Sequence, residues 1–312
     1  SDVCSSDLAA APPSGAAPVT TPGGGFAIDG DLIANTPNAN FGDWIFSPNN
    51  PGTGGGVLSN DAAGTPLNPQ TTFHFTDPFN DTTTDLAFAG GHKWYDDPNT
   101  WEWTVSKPSA KTDINNALLH IATDTNGHVW VMVAADRLST SGASYIDFEF
   151  LQKTLVRNTT NFFFSSAGLN GGRTTNDVLV SLAFTSGGSG ADCSLLRWAG
   201  NGSGFAFVDE TTNLASGQIF VAVNTNTVSV PFSAFGLTSY APRSFVEAAV
   251  DLTALIGGFN PCLSVGFKTI IIKTKSSASD SATSEDFVDP IQYTLNVGPS
   301  ANAGPDQTRC SE

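Results

Sequence analysis

The sequence predicts an all-β protein: an antiparallel β-sandwich of jelly-roll type with one or two short helices. Three observations lead there. First, short runs rich in β-branched and aromatic residues recur along the chain, among them TFHF, HVWVMVAA, SYIDFEFLQK, DVLVSLAF, QIFVAV and LSVGFKTIIIKTK. Second, turn-forming clusters separate them, such as PNNPGTGGG, DTNG, STSG, LNGGRTTND and AGNGSG. Third, only 13% of the residues are charged, against about 25% in an average globular protein. Ser, Thr, Asn and Gly carry the polarity instead, and these residues favour strands and turns over helices. No long helical pattern stands between the runs, which argues against βαβ units and a parallel sheet.

The elements follow in chain order. Residues 1–8, SDVCSSDL, have neither the basic start nor the apolar stretch of a secretion signal. They read as the translation of a sequencing-library adapter, so the true N-terminus and any signal peptide are expected to be lost. Residues 9–25 are Ala, Pro, Gly, Thr and Ser without periodicity and read as a flexible lead-in. The sandwich domain is expected over residues 26–297. Within it, ATDTNGHVWV is the clearest hairpin, with Asn126-Gly127 supplying left-handed backbone for a tight turn. One helix is expected to start at Asp113, the N-cap candidate of TDINNALL, and another over VDLTALIGG, ended by Gly257. Apolar runs such as VWVMVAA are strand-sized, far below the ~18 residues of a membrane span, so no membrane insertion is expected. Residues 298–312 change character. Their NAGPDQT resembles the opening strand and turn of a PKD-type immunoglobulin-fold module, which implies downstream PKD-like repeats in the same chain.

The chain has 13 Lys and Arg against 29 Asp and Glu, a net charge of −16. No basic cluster is present to bind phosphates, which argues against nucleic acid as a partner, and the charge fits poorly with an anionic lipid surface. It fits a soluble exported protein whose carboxylates can hold divalent cations. The four cysteines, Cys4, Cys193, Cys262 and Cys310, form no C-x-x-C pair, which argues against a zinc knuckle or thioredoxin-like site. Cys193 and Cys262 lie in the body of the domain. A disulfide between them, closing a long loop and contributing about 4 kcal/mol, is favoured over two buried free thiols.

Several pieces stand in a set order: FAIDGDLIAN with GDW, FTDP, FAGGHKWYDDPNTWEW, KTDINNALLHIATD, AADRLSTSGASYIDFEFLQ, EAAVDLTAL and CLSVGFKTIIIKTKSSASDSATSEDFV. In that order they resemble the β-rich head domain of large exported bacterial proteins that continue into immunoglobulin-like or other repeats. The resemblance implies an extracellular or cell-surface location and this architecture, and it brings no established catalytic activity. The chain departs from the pattern at HKWY, where small or acidic residues are usual, and at Glu149, where an aromatic is common.

Candidate chemistry lies in three places. Trp94 and Tyr95 stand beside the turn residues DDPN and are expected to be exposed as ligand-binding aromatics. Trp101 and Trp103 share one strand face; they suit either a sugar-stacking platform or the core, and core is favoured. Asp29, Asp31, Asp43, Asp77, Asp81, Asp96, Asp97 and Asp113 crowd the first third of the chain. Asp29, Asp31, Asp96 and Asp97 are the candidate ligands of a structural Ca²⁺, with Asx-turns and caps as the alternative use. Asp147 and Glu149 share a strand face at a spacing similar to that of laminarinase-like jelly-roll glycosidases, but Tyr145 and Leu151 occupy the outer positions where the two catalytic Glu would be sought. Asp136-Arg137 suggests a buried ion pair or a turn clamp. The four histidines show no metal-ligand spacing.

These features point to a non-enzymatic, adhesin-like head domain that binds a glycan or cell-surface ligand. A spacer without ligand and a divergent jelly-roll glycosidase are the alternatives.

Overall fold

The computed structural model describes residues 25–33, 41–46, 55–184, 192–215, 217–259, 263–279 and 281–298. The expected adapter segment, nearly all of the lead-in and of the PKD-like start, and Cys262 lie outside the described residues. The strands are β1 (Asp43–Ile45), β2 (Gly56–Leu58), β3 (Thr72–Thr76), β4 (Leu86–Ala89), β5 (Glu102–Val105), β6 (Asn116–Thr123), β7 (Val129–Asp136), β8 (Ser144–Leu151), β9 (Leu155–Arg157), β10 (Phe164–Ser166), β11 (Val178–Phe184), β12 (Asp192–Gly200), β13 (Phe205–Asp209), β14 (Ile219–Val223), β15 (Val228–Ser229), β16 (Ser239–Tyr240), β17 (Phe245–Asp251), β18 (Val265–Lys275) and β19 (Ser284–Val297). One α-helix, α1 (Leu252–Phe259), follows β17.

Two antiparallel sheets carry the fold, as the sequence predicts. One has eight strands in the order β13-β12-β11-β8-β18-β19-β4-β5, the other five in the order β14-β17-β7-β6-β3. Their facing sides interdigitate Leu119, Ile121, Val131, Val133, Val246 and Val250 from the five-stranded sheet with Phe148, Phe150, Val180, Leu182, Phe267 and Ile272 from the other. Each such fully buried side chain contributes roughly 1.5–3 kcal/mol. The outer sides are covered too. Phe26, Leu32, Trp44, Leu58 and Tyr240 pack over Leu118, Trp130 and Met132 on the five-stranded sheet. Trp101, Leu155 and Phe164 pack over Leu151, Ile271 and Phe287 of the eight-stranded one, together with Trp103 of its own edge strand β5. A strand with both faces covered need not alternate, which is why VWVMVAAD is apolar almost throughout and buried beyond its first residue.

Three local expectations change. Asn116–Thr123 is a strand, not the expected helix: Asp113 accepts the Asn80 N–H (3.0 Å) instead of capping its own segment, and the apolar run pairs between β3 and β7. The second helix is present as α1, capped by Asp251, whose carboxylate accepts the Ala254 N–H (2.8 Å), and it runs past Gly257 to Phe259. In the β6–β7 turn Gly127 takes φ +81° but Asn126 does not go left-handed. The turn is held instead by Asp124, which accepts the N–H groups of Asn126 and His128.

Candidate functional site

After β4 the chain reverses at Gly90 and Gly91, both at positive φ, and residues 93–100 lie back across the outer face of the eight-stranded sheet. The reversal buries Trp94 (5% exposed), contrary to the expectation that its turn surroundings leave it open. Its indole N–H donates to the Ser279 carbonyl (3.1 Å), and its ring stacks on Phe207 at 5.3 Å and 19°. Tyr95 is 38% exposed and meets Trp94 edge-on at 5.6 Å. With Phe205, Ala206 and Phe207 of the edge strand β13, these two rings line an open cavity of about 190 Å³. Phe205 is 41% exposed and stacks on Trp198. Trp101 (0% exposed) and Trp103 (6%) are core residues, their indole N–H groups donating to the Lys93 and Asn158 carbonyls. So the structure brings Trp94 and Tyr95 together at a cavity and leaves Trp101 and Trp103 inside. The sequence reading missed Phe205 and Phe207. The signal was there: SGFAFVD places two rings two residues apart on a strand after a Gly-rich turn.

Arg173, in the turn LNGGRTTND, fixes this site and also escaped the sequence reading. Its guanidinium is fully buried, donates to Glu149 (2.5 Å), and reaches the carbonyls of Trp94 (3.3 Å), Tyr95 (3.1 Å) and Asp96 (2.9 Å). One cation thereby ties the backbone of the aromatic turn to β8. Gly172 makes the approach possible. It sits at φ +71°, and a Cβ there would lie 2.2 Å from Asp97 Oδ1 and 2.5 Å from Pro98 Cδ.

Asp147 and Glu149 do share one face of β8, as predicted, but each is fully buried and neutralised. Asp147 pairs with Lys275 and accepts from Ser181 (2.5 Å); Glu149 pairs with both Arg173 and Lys273. The cations lie over aromatic rings, Arg173 over Trp198 (4.8 Å), Lys273 over Trp101 (5.1 Å) and Lys275 over Trp94 (4.6 Å). Burial alone would raise the Glu149 pKa, but Arg173 and Lys273 outweigh it and hold the carboxyl at about 2. A glycosidase acid needs a raised pKa and access to the bond. Glu149 has neither.

The carboxylates of the first third divide. Asp29 and Asp31 meet, with Asp43 added, so that one oxygen from each lies within 4.8 Å of the others. Glu247 sits against them, accepting the N–H groups of Asp29 (2.8 Å) and Gly30 (2.7 Å) and the Trp44 indole N–H (2.9 Å). Burial, then the neighbouring Asp29 charge, pushes Glu247 up to about 8. Asp96 and Asp97 do not join this group. Asp96 accepts the Lys93 N–H (2.7 Å), and Asp97 caps the short turn at Pro98–Thr100 by accepting the Asn99 N–H (2.9 Å). A second group, Asp77, Asp85 and Asp286, converges elsewhere within the same 4.8 Å limit.

Asp136 and Arg137 are not each other's partners. Asp136 accepts from Asn115, Asn116 and Tyr240, whereas Arg137 clamps a turn through Gly142, Ser144 and Arg243. His120 bonds Thr72 (2.8 Å) and His74 bonds Asn116 (2.8 Å), which makes both cross-strand residues of β3 and β6. Cys193 is a buried free thiol whose pKa burial pushes up to about 12; its expected partner Cys262 lies outside the described residues. No protein-family model, curated protein or solved structure matches this chain.

Proposed function

We propose that this chain is a non-enzymatic binding domain of an exported or cell-surface protein, taking a glycan at the cavity of Trp94, Tyr95, Phe205 and Phe207. The observation that carries the reading is the geometry of these rings. Tyr95 and Phe205 are partly exposed at the cavity, beside the stacked pair Trp94 and Phe207. Sugar rings offer apolar C–H faces to aromatic planes, and Tyr adds a hydroxyl for a polar contact. A turn tied down by Arg173 costs little ordering entropy on binding. The buried and neutralised Asp147 and Glu149 support a binding rather than a hydrolytic role. The acidic, weakly charged composition supports life outside the cell.

The test is a glycan array followed by calorimetry on the best ligand. Tyr95→Ala and Phe205→Ala should each weaken binding by about tenfold or more with thermal stability nearly unchanged, since both rings are partly exposed. Full affinity in both variants would move the site elsewhere. No binding to any glycan would leave the spacer reading, which the sealing of the outer sheet face under Trp94 and Trp101 favours.

A further inference from the structure

Asp77 and Asp85 stand at the two ends of one loop, and Asp286 joins them from β19, far along the chain. Asp77 directly follows β3, the edge strand of the five-stranded sheet. Asp85 directly precedes β4 of the eight-stranded sheet, and Asp286 lies in β19, opposite Ala87 of β4. The loop of residues 77–85 is therefore the crossing from one sheet to the other.

Asp85 is 0% exposed, and neither of its carboxylate oxygens has a close hydrogen-bond partner; the polar groups nearest to it are the Leu86 N–H and the Asp77 carboxyl. Oδ2 of Asp77 is likewise without a partner, as is Oδ1 of the neighbouring Asp113. Asp286, also 0% exposed, accepts the Ile114 N–H (2.7 Å) and the Phe287 N–H (2.8 Å), one on each oxygen, which leaves further lone pairs on both. Among the described residues, no Lys, Arg or His forms an ion pair with any of these four aspartates. A buried carboxylate without a partner costs several kcal/mol, and packing like charges together adds to it. Such a group has to be neutralised, by protons or by a bound cation.

We propose that Asp77, Asp85 and Asp286, with Asp113 beside them, form a calcium-class divalent-cation site that pins the crossing between the two sheets. The chemistry selects the ion. All donors are hard oxygens, which disfavours zinc. Oxygens within 4.8 Å of one another are close enough to share one cation, and calcium's flexible shell of oxygen ligands at about 2.3–2.6 Å accepts such a group. Magnesium, at about 2.0–2.1 Å, requires a tighter octahedron and keeps more of its waters.

The test uses the full chain stripped with EDTA and then given CaCl₂. Native mass spectrometry counts bound calcium in the wild type, Asp85→Asn and Asp286→Asn. Each variant should hold one calcium fewer than the wild type; an ion at Asp29, Asp31 and Asp43 would be present in all three and cancels from the difference. At calcium about 100-fold above Kd, the wild-type melting temperature should rise by roughly 5–10 °C, and each variant should lose most of that rise. Folding of the variants is not in question for Asp85→Asn, because replacing a buried partnerless carboxylate by an amide should leave its calcium-free melting temperature at or above that of the wild type. Retention of the wild-type calcium count in either variant overturns the proposal, as does a wild type that binds no calcium or gains no stability from it.

Discussion

Glu149→Gln isolates the charge network beneath the aromatic cavity. The substitution keeps the shape of the side chain and removes its charge, leaving Arg173 and Lys273 buried without an anion between them. The size of the loss follows from the pKa. Glu149 falls from 4.5 to about 2, and at about 1.36 kcal/mol per unit this corresponds to roughly 3 kcal/mol. The sign is that of a depressed carboxyl: the contribution is complete above the unfolded value of 4.5 and disappears as the pH falls through about 2. Removing one partner of a buried pair costs about 3–5 kcal/mol in other proteins, a range that contains this figure. At roughly 2–4 °C per kcal/mol, the melting temperature at pH 7 should drop by roughly 6–12 °C. Calorimetry and urea unfolding read this directly. In a Lys273→Met background the same change should cost less, because one of the two stranded cations is gone. A drop below about 1 kcal/mol, or equal costs in the two backgrounds, would refute the network as a stabilising unit.

Two further outcomes follow from the same structure. Burial lowers the His120 pKa from 6.5 to about 4, so the fold keeps the ring neutral where the unfolded chain would protonate, and its contribution to stability falls as the pH drops from 6.5 towards 4. NMR titration should show the His120 ring still neutral at pH 5; a midpoint near 6.5 would contradict this. Gly172→Ala places a Cβ against Asp97 and Pro98 at a positive φ and should cost at least about 1–2 kcal/mol, with weaker glycan binding as the 94–98 turn shifts away from Arg173. A change under about 0.5 kcal/mol in urea unfolding would show that the loops have room to spare.

What could be read in advance divides by the range of the interaction. Strand identity is local: β-branched and aromatic runs between Gly- and Asn-rich turns specify strands wherever they fall, and the two sheets are built from them. The helix expected at Asp113 failed for the same reason the strands succeeded. A capping residue is a local signal, and its carboxylate was taken by Asn80, from a loop 33 residues earlier. The site depends almost wholly on distant partners. DDPN next to Trp94 reads as an exposed turn, yet the indole bonds Ser279, 185 residues away. Asp147 and Glu149 were legible as two carboxylates on one face. That they are neutralised was not, because Lys275 and Lys273 arrive from β18, 128 and 124 residues later. Asp286, the far member of the second acidic group, lies outside the crowded first third and carried no signal of its own. In a sandwich with both faces of both sheets covered, alternation ceases to separate inside from outside, so a charged residue in a strand can be a buried partner as readily as a surface group. Composition can count such residues, but which of them are compensated is decided by the order in which the strands lie side by side.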